Sequence, residues 1–108
     1  MICFTVYRKE GRCVGFQCEG HAEYSEEGSD IVCSAVSALT VNTVNSLELL
    51  TEDAYEGEEA EEGGMLRLRL LEDPSHDAQL LLDSLILGIR SILETYGEEY
   101  LEICDPDA

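Results

Sequence analysis

Asp30-Ile31-Val32-Cys33-Ser34-Ala35-Val36-Ser37-Ala38-Leu39 is where the apolar pattern of this chain changes period, from an alternation of two to the spacing of a helix. Ile31, Val32, Ala35, Val36, Leu39, Leu47 and Leu50 fall on one side at 100° per residue, which predicts a helix from Asp30 to about Leu50. Ser29 or Asp30 is placed to cap its first turn. On the N-terminal side the period is two. Ile2, Phe4 and Val6 alternate with Cys3, Thr5 and Tyr7, and Val14, Phe16 and Cys18 repeat the pattern. The polar Arg8-Lys9-Glu10-Gly11-Arg12 between them makes residues 2–19 a hairpin. Residues 22–29 are small and acidic with no periodicity and read as a mobile loop.

On the C-terminal side, Thr51 to Gly64 carries Glu52, Asp53, Glu56, Glu58, Glu59, Glu61 and Glu62 with little that is apolar. It reads as a solvated loop or frayed helix end. Leu66, Leu68 and Leu70 alternate with Arg67 and Arg69 as a third strand over 65–71. Pro74 and Ser75 open a second helix with Ala78, Leu81, Leu82, Leu85, Ile86, Ile89, Leu93 and Tyr96 at helical spacing, stopped near Gly97. Leu101 and Ile103 suggest a short last strand. The expected order is ββαβαβ: an α+β, two-layer arrangement in one domain over residues 1–108, with both helices on one face of a small mixed sheet. The other face, with Cys3, Tyr7, Cys13 and Gln17, is apolar enough to suggest burial against a second copy in a homodimer.

Composition limits the function. Leu, Ile, Val and Phe number 15, 6, 6 and 2 in 108 residues, enough for a small core. Six Lys and Arg against 24 Asp and Glu give a formal charge of −18, so direct binding to nucleic acid is not expected. Neither a signal peptide nor a stretch of some 18 uncharged residues for a membrane span is evident, and a cytoplasmic location is expected. The five cysteines at 3, 13, 18, 33 and 104 then read as reduced thiols, with no C-x-x-C pair to suggest zinc.

Chemistry concentrates on two residues. With Asp30 as cap, Cys33 is the third helical position, where unpaired N–H groups and the helix dipole favour an anion. On the helical wheel it lies at the shoulder of the apolar stripe, beside Ser37 and Thr40. His21 ends the second strand, and a loop folded back would bring its imidazole to the sulfur. A thiolate and imidazolium pair attacks carbonyl carbon, with backbone N–H groups near Cys33 and Ser34 available to the oxyanion. A buried, inert Cys and a hydrogen-bonded His at a strand end explain the same spacing. The other four cysteines and the surface residue His76 are weaker candidates. A metal site of His21, Asp30 and Cys33 lacks paired ligand spacing, and the acidic run lacks the pattern of a calcium loop, so neither a metal nor a cofactor is expected.

Gly20-His21-Ala22, Tyr24, Gly28 and Asp30-Ile31-Val32-Cys33-Ser34-Ala35-Val36-Ser37-Ala38-Leu39 together resemble the signature of the Prp-type ribosomal-processing cysteine proteases. The resemblance implies an α+β homodimer that cleaves the N-terminal extension from a large-subunit ribosomal protein during ribosome assembly. The extension it implies is short and largely apolar, ending in aromatic residues before the cleaved bond. It assigns the catalytic dyad to His21 and Cys33. Asp30 and Ser37 match further positions and are candidates for assisting roles, as is Ser34, which stands where the family commonly has alanine. Loop 22–29 would order over the peptide as a lid. Two rivals remain: a non-enzymatic acidic protein that shields a basic ribosomal partner, and a redox-sensing thiol protein.

Overall fold

Glu10 and Gly11 have φ of 54° and 81°. Two successive positive values are what a two-residue turn needs to match the twist of a hairpin, and Gly takes the second without a Cβ clash. The turn joins β1 (Ile2–Lys9) to β2 (Arg12–Glu19), paired antiparallel from Cys3 opposite Glu19 to Lys9 opposite Arg12. The computed structural model describes residues 1–20, 29–60 and 64–106, with Ser29 and Asp30 described by their backbone alone. The remaining elements are α1 (Ser29–Leu50), β3 (Tyr55–Glu59), β4 (Met65–Leu70), α2 (His76–Tyr96) and β5 (Leu101–Cys104).

The strands form one mixed sheet in the order β3-β4-β2-β1-β5, with only β1 and β5 parallel. Phe4, Phe16 and Leu68 meet on the covered face with Val32, Val36 and Leu47 of α1 and Leu82 and Ile89 of α2. The Phe4 and Phe16 rings stack at 5.6 Å, tying the central strands. The α+β two-layer expectation holds, with both helices on one face.

Three expectations need correction. First, the element order is ββαββαβ, because residues 55–59 of the acidic run form an edge strand instead of a loop or helix end. Its glutamates suit a strand poorly by propensity, but β4 supplies the backbone partners and sets Glu56 opposite Arg69 and Glu58 opposite Arg67. Charge along this strand also discourages another chain from pairing with it. Second, Cys13 belongs to the core, not the open face: a bulge between Tyr7 and Arg8 shifts the register so that Cys13 is 1% exposed. Third, the buried stripe of α1 is Val32, Val36, Thr40, Thr43 and Leu47, while Ile31 and Leu50 face solvent. The threonines enter because their hydroxyls donate to helix carbonyls one turn back, Thr40 to Val36 at 3.0 Å and Thr43 to Leu39 at 2.8 Å.

Helix α2 matches its expected limits. Ser75 caps it, its Oγ accepting from the Ala78 N–H at 3.1 Å, and Gly97 closes it with an N–H donated to Leu93 O at 2.8 Å. The two helices approach closely at Gly88, where an added Cβ would strike the end of the Leu39 side chain.

Candidate active site

The chain is brought to the site by the end of β2. Gly20 donates its N–H to Gly64 O at 3.0 Å and has φ of 109°, and a Cβ added there would strike the Met1 carbonyl. Only glycine fits that turn, which directly follows the end of β2 at Glu19. His21 itself lies outside the described residues, as does most of the expected lid at 22–29, of which the helical Ser29 is described by its backbone.

Cys33 is half-buried and packs against the core cluster, the shoulder position expected of it. Helix α1 begins at Ser29, two residues earlier than capping by Asp30 requires, so Cys33 is the fifth residue of the element. The N–H groups left without a helical partner are then those of the first four residues, Ser29 to Val32. Cys33 follows directly after that first turn, next to its unpartnered N–H groups.

Beside it opens a cleft of about 110 Å³ bounded by both layers of the fold. Helix α1 contributes Cys33, Ser37 and Thr40 along one side, β2 contributes Cys18, and β4 contributes Met65 and Leu66. Ser37 shares the cleft with Cys33, whereas Ser34 is exposed and is not among the residues lining it. The side chain of Asp30 lies outside what is described.

Cys18 is the residue that periodicity alone did not single out. It opposes Leu66 across β2 and β4 and reaches the same cleft as Cys33. Burial pushes its thiol up to about 11, with further upward contributions from Cys33, Cys3 and Glu19. Cys18 is therefore a protonated thiol at neutral pH. Burial also pushes Cys13 up, and in Cys3 burial acts first, followed by Glu102, whose carboxylate accepts from the thiol at 3.7 Å. Cys33 and Cys18 are the two cysteines that line the cleft. His76 is exposed, next to Asp77 at the start of α2, as expected of a surface residue. Among the described residues, no three His, Cys, Asp or Glu side chains gather as a metal site. No helix there is long and apolar enough to cross a membrane.

A family model described as cysteine protease Prp matches residues 1–101. The ribosomal processing cysteine protease Prp of Staphylococcus aureus is 32% identical over 89 residues, covering 82% of this chain and 84% of that protein. Two crystal structures of the essential ribosomal processing protease Prp from S. aureus superimpose along nearly the whole fold. One, in complex with a substrate peptide, has a TM-score of 0.88 at 27% identity. The other, with a covalently linked product peptide, has a TM-score of 0.86 at 28% identity. Each covers 97% of this chain and 99% of the matched one. A half-buried helical cysteine beside a cleft, the Gly-His-Ala and Asp-Ile-Val-Cys segments, and a family match over residues 1–101 lead to one statement: this chain belongs to the cysteine protease Prp family.

Proposed function

We propose that this protein is a cysteine endopeptidase that removes the N-terminal extension of a large-subunit ribosomal protein during ribosome assembly, with Cys33 as nucleophile and His21 as its acid–base partner. The observation that carries the reading is the placement of Cys33 beside the cleft in a chain matched by the family model over residues 1–101. The covalently linked product peptide held by the S. aureus relative supports covalent chemistry.

In this reading His21 takes the thiol proton and the Cys33 thiolate attacks the scissile carbonyl carbon. The tetrahedral oxyanion collapses, the C–N bond breaks, and the imidazolium returns its proton to the leaving amine. Water then attacks the thioester with His21 as base, releasing the carboxylate and the thiol. Helix N–H groups ahead of Cys33 are the nearest backbone donors for the oxyanion. Asp30 serves to orient His21 or to hold the helix start. Ser37 lies along the bound peptide, and Ser34 on the exposed side of the same turn. No metal or cofactor takes part.

A charge of −18 draws a basic precursor and repels rRNA, so cleavage of free precursor precedes burial in the ribosome. The same charge favours the second reading, an acidic assembly protein that binds without cleaving. The working location is the cytoplasm, the folded unit spans residues 1–108, and the open sheet face pairs two copies as a homodimer. Light scattering at about 12 kDa would dismiss the dimer.

Incubating the parent, Cys33→Ala, Cys33→Ser and His21→Ala proteins with a candidate precursor tests the main reading by product mass. Cleavage by the parent alone is expected. Binding by all four without a shortened product would replace the protease with the assembly protein.

A further inference from the structure

Of the two thiols that line the cleft, the proposed mechanism uses only Cys33. Cys18 comes to the same space from the other layer of the fold. It stands in register with Phe4 and Leu66 on β2 and packs against the core cluster that also receives Cys33 of α1. Both thiols are free and half-buried, and the cleft they share leaves about 110 Å³ of open space into which either side chain can rotate. Burial raises the Cys18 thiol first, and of its charged neighbours Cys33 raises it most, ahead of Cys3 and of Glu19, the next residue along the strand. That ordering marks the two cleft sulfurs as close neighbours.

The other cysteines are placed differently. Cys13 is 1% exposed and its thiol donates to Gly15 O at 3.3 Å. Cys3 donates to Glu102, and Cys104 is exposed at the end of β5. None of the three is among the residues that line the cleft.

The pair is also chemically asymmetric. A hydroperoxide reacts with a thiolate in preference to a thiol. Cys33, deprotonated by its acid–base partner, is then the sulfur that is oxidised. Cys18, whose thiol burial pushes up to about 11, keeps its proton until an electrophilic sulfur forms beside it.

We infer that Cys18 is the resolving thiol of a reversible redox switch, closing a disulfide with Cys33 across the cleft when a hydroperoxide oxidises the nucleophile. The Cys33 thiolate attacks the hydroxyl oxygen of the peroxide, the O–O bond breaks, and the other oxygen leaves and takes up a proton as alcohol or water. The sulfur has lost two electrons and is a sulfenic acid. The Cys18 sulfur then attacks it: the S–S bond forms, the S–O bond breaks, and hydroxide departs with the Cys18 proton as water. A dithiol returns two electrons and two protons and restores both thiols. In the closed form no thiolate is left to attack a peptide, and Cys33 is kept from the sulfinic acid, which thiols do not reduce. The loss of activity rests on the reading of Cys33 as nucleophile; formation of the bond does not.

The test treats the parent, Cys18→Ala and Cys18→Ser proteins with hydrogen peroxide and then with dithiothreitol, with thermal melts to confirm folding. Digestion without reductant reports by peptide mass which cysteines are joined. Cleavage of a candidate precursor, each protein scaled to its own untreated rate, reports activity. In the parent, the peptides bearing Cys18 and Cys33 are expected to be joined, cleavage to be lost, and dithiothreitol to restore it. Both variants should lose cleavage and recover about tenfold less of it, with Cys33 as sulfinic or sulfonic acid. Cys33 joined to another cysteine or to none overturns the switch, as does equal recovery by the folded variants. If the untreated parent cleaves no precursor, the protease reading fails and the peptide masses alone decide whether the bond forms. A joined Cys18 and Cys33 in protein that still cleaves overturns the switch and the nucleophile together.

Discussion

The two helices cover the same sheet, yet they are built differently. Helix α2 buries Ala78, Leu82, Leu85, Ile86, Ile89 and Ile92, all apolar, and both its ends are closed by local hydrogen bonds. Helix α1 puts Thr40 and Thr43 into its buried stripe and carries Cys33 on the shoulder. One helix is optimised for packing. The other gives up apolar area to border a cleft, and the difference separates the residues whose loss should unfold the protein from those whose loss should silence it.

The largest expected effect is on activity through α1. Cys33→Ala should lower kcat by about 10⁴-fold or more on a cleavable precursor, while the urea midpoint moves by no more than about 1 kcal/mol equivalent because the site is half-buried. A strongly destabilised but active Cys33→Ala protein would erase the contrast between the helices. Through α2 the order should reverse. Leu82 is fully buried, and Leu82→Ala should cost about 2 to 5 kcal/mol in urea unfolding with kcat of the remaining folded protein little changed.

A buried ion pair gives the next effect. Asp105, 1% exposed, accepts from Arg8 Nε at 2.7 Å and from Arg90 of α2 at 3.1 Å. Asp105→Ala should cost up to roughly 3 kcal/mol, since it leaves two guanidinium groups beside the core. Ser75→Ala removes the cap of α2 and should cost about 1 kcal/mol.

The smallest effect sharpens the same contrast by pH. Asp53 accepts from the Ser75 N–H at 2.8 Å and from its hydroxyl. Burial pushes the Asp53 carboxyl up, but the bonds from Ser75 and Thr51 outweigh it and hold it below the usual carboxylate range. A lowered value in the folded state means the stabilisation is present above the unfolded value of about 4 and is lost as pH falls through the folded one. Asp53→Asn should therefore destabilise at pH 7 and match the parent in strong acid. A constant difference across that range would show that the carboxylate's charge is not what supports the cap.

Much of this was legible from residue pattern because it is local. The hairpin, the leucine alternation of β4 and the Ser75-to-Gly97 limits of α2 follow from neighbouring residues. The misreadings have other causes. Tyr55–Glu59 becomes a strand only because β4 pairs with it, and Cys13 turns inward only because of a bulge. Thr40 and Thr43 look polar until their hydroxyls find their own helix. At the site, the motif pointed to Cys33, whereas Cys18, Met65 and Leu66 reach the cleft through long-range strand pairing that no local period records.

The parallel pairing of β1 with β5 sets Ile2 opposite Leu101, and Ile2 is one wall of the cleft. A nascent chain can close its hairpin and fold its helices early, but the first strand stays bare on one side until residues 101–104 have left the synthetic machinery. The cleft wall is thus completed only when β5 docks beside β1, after every other strand of the sheet has been made.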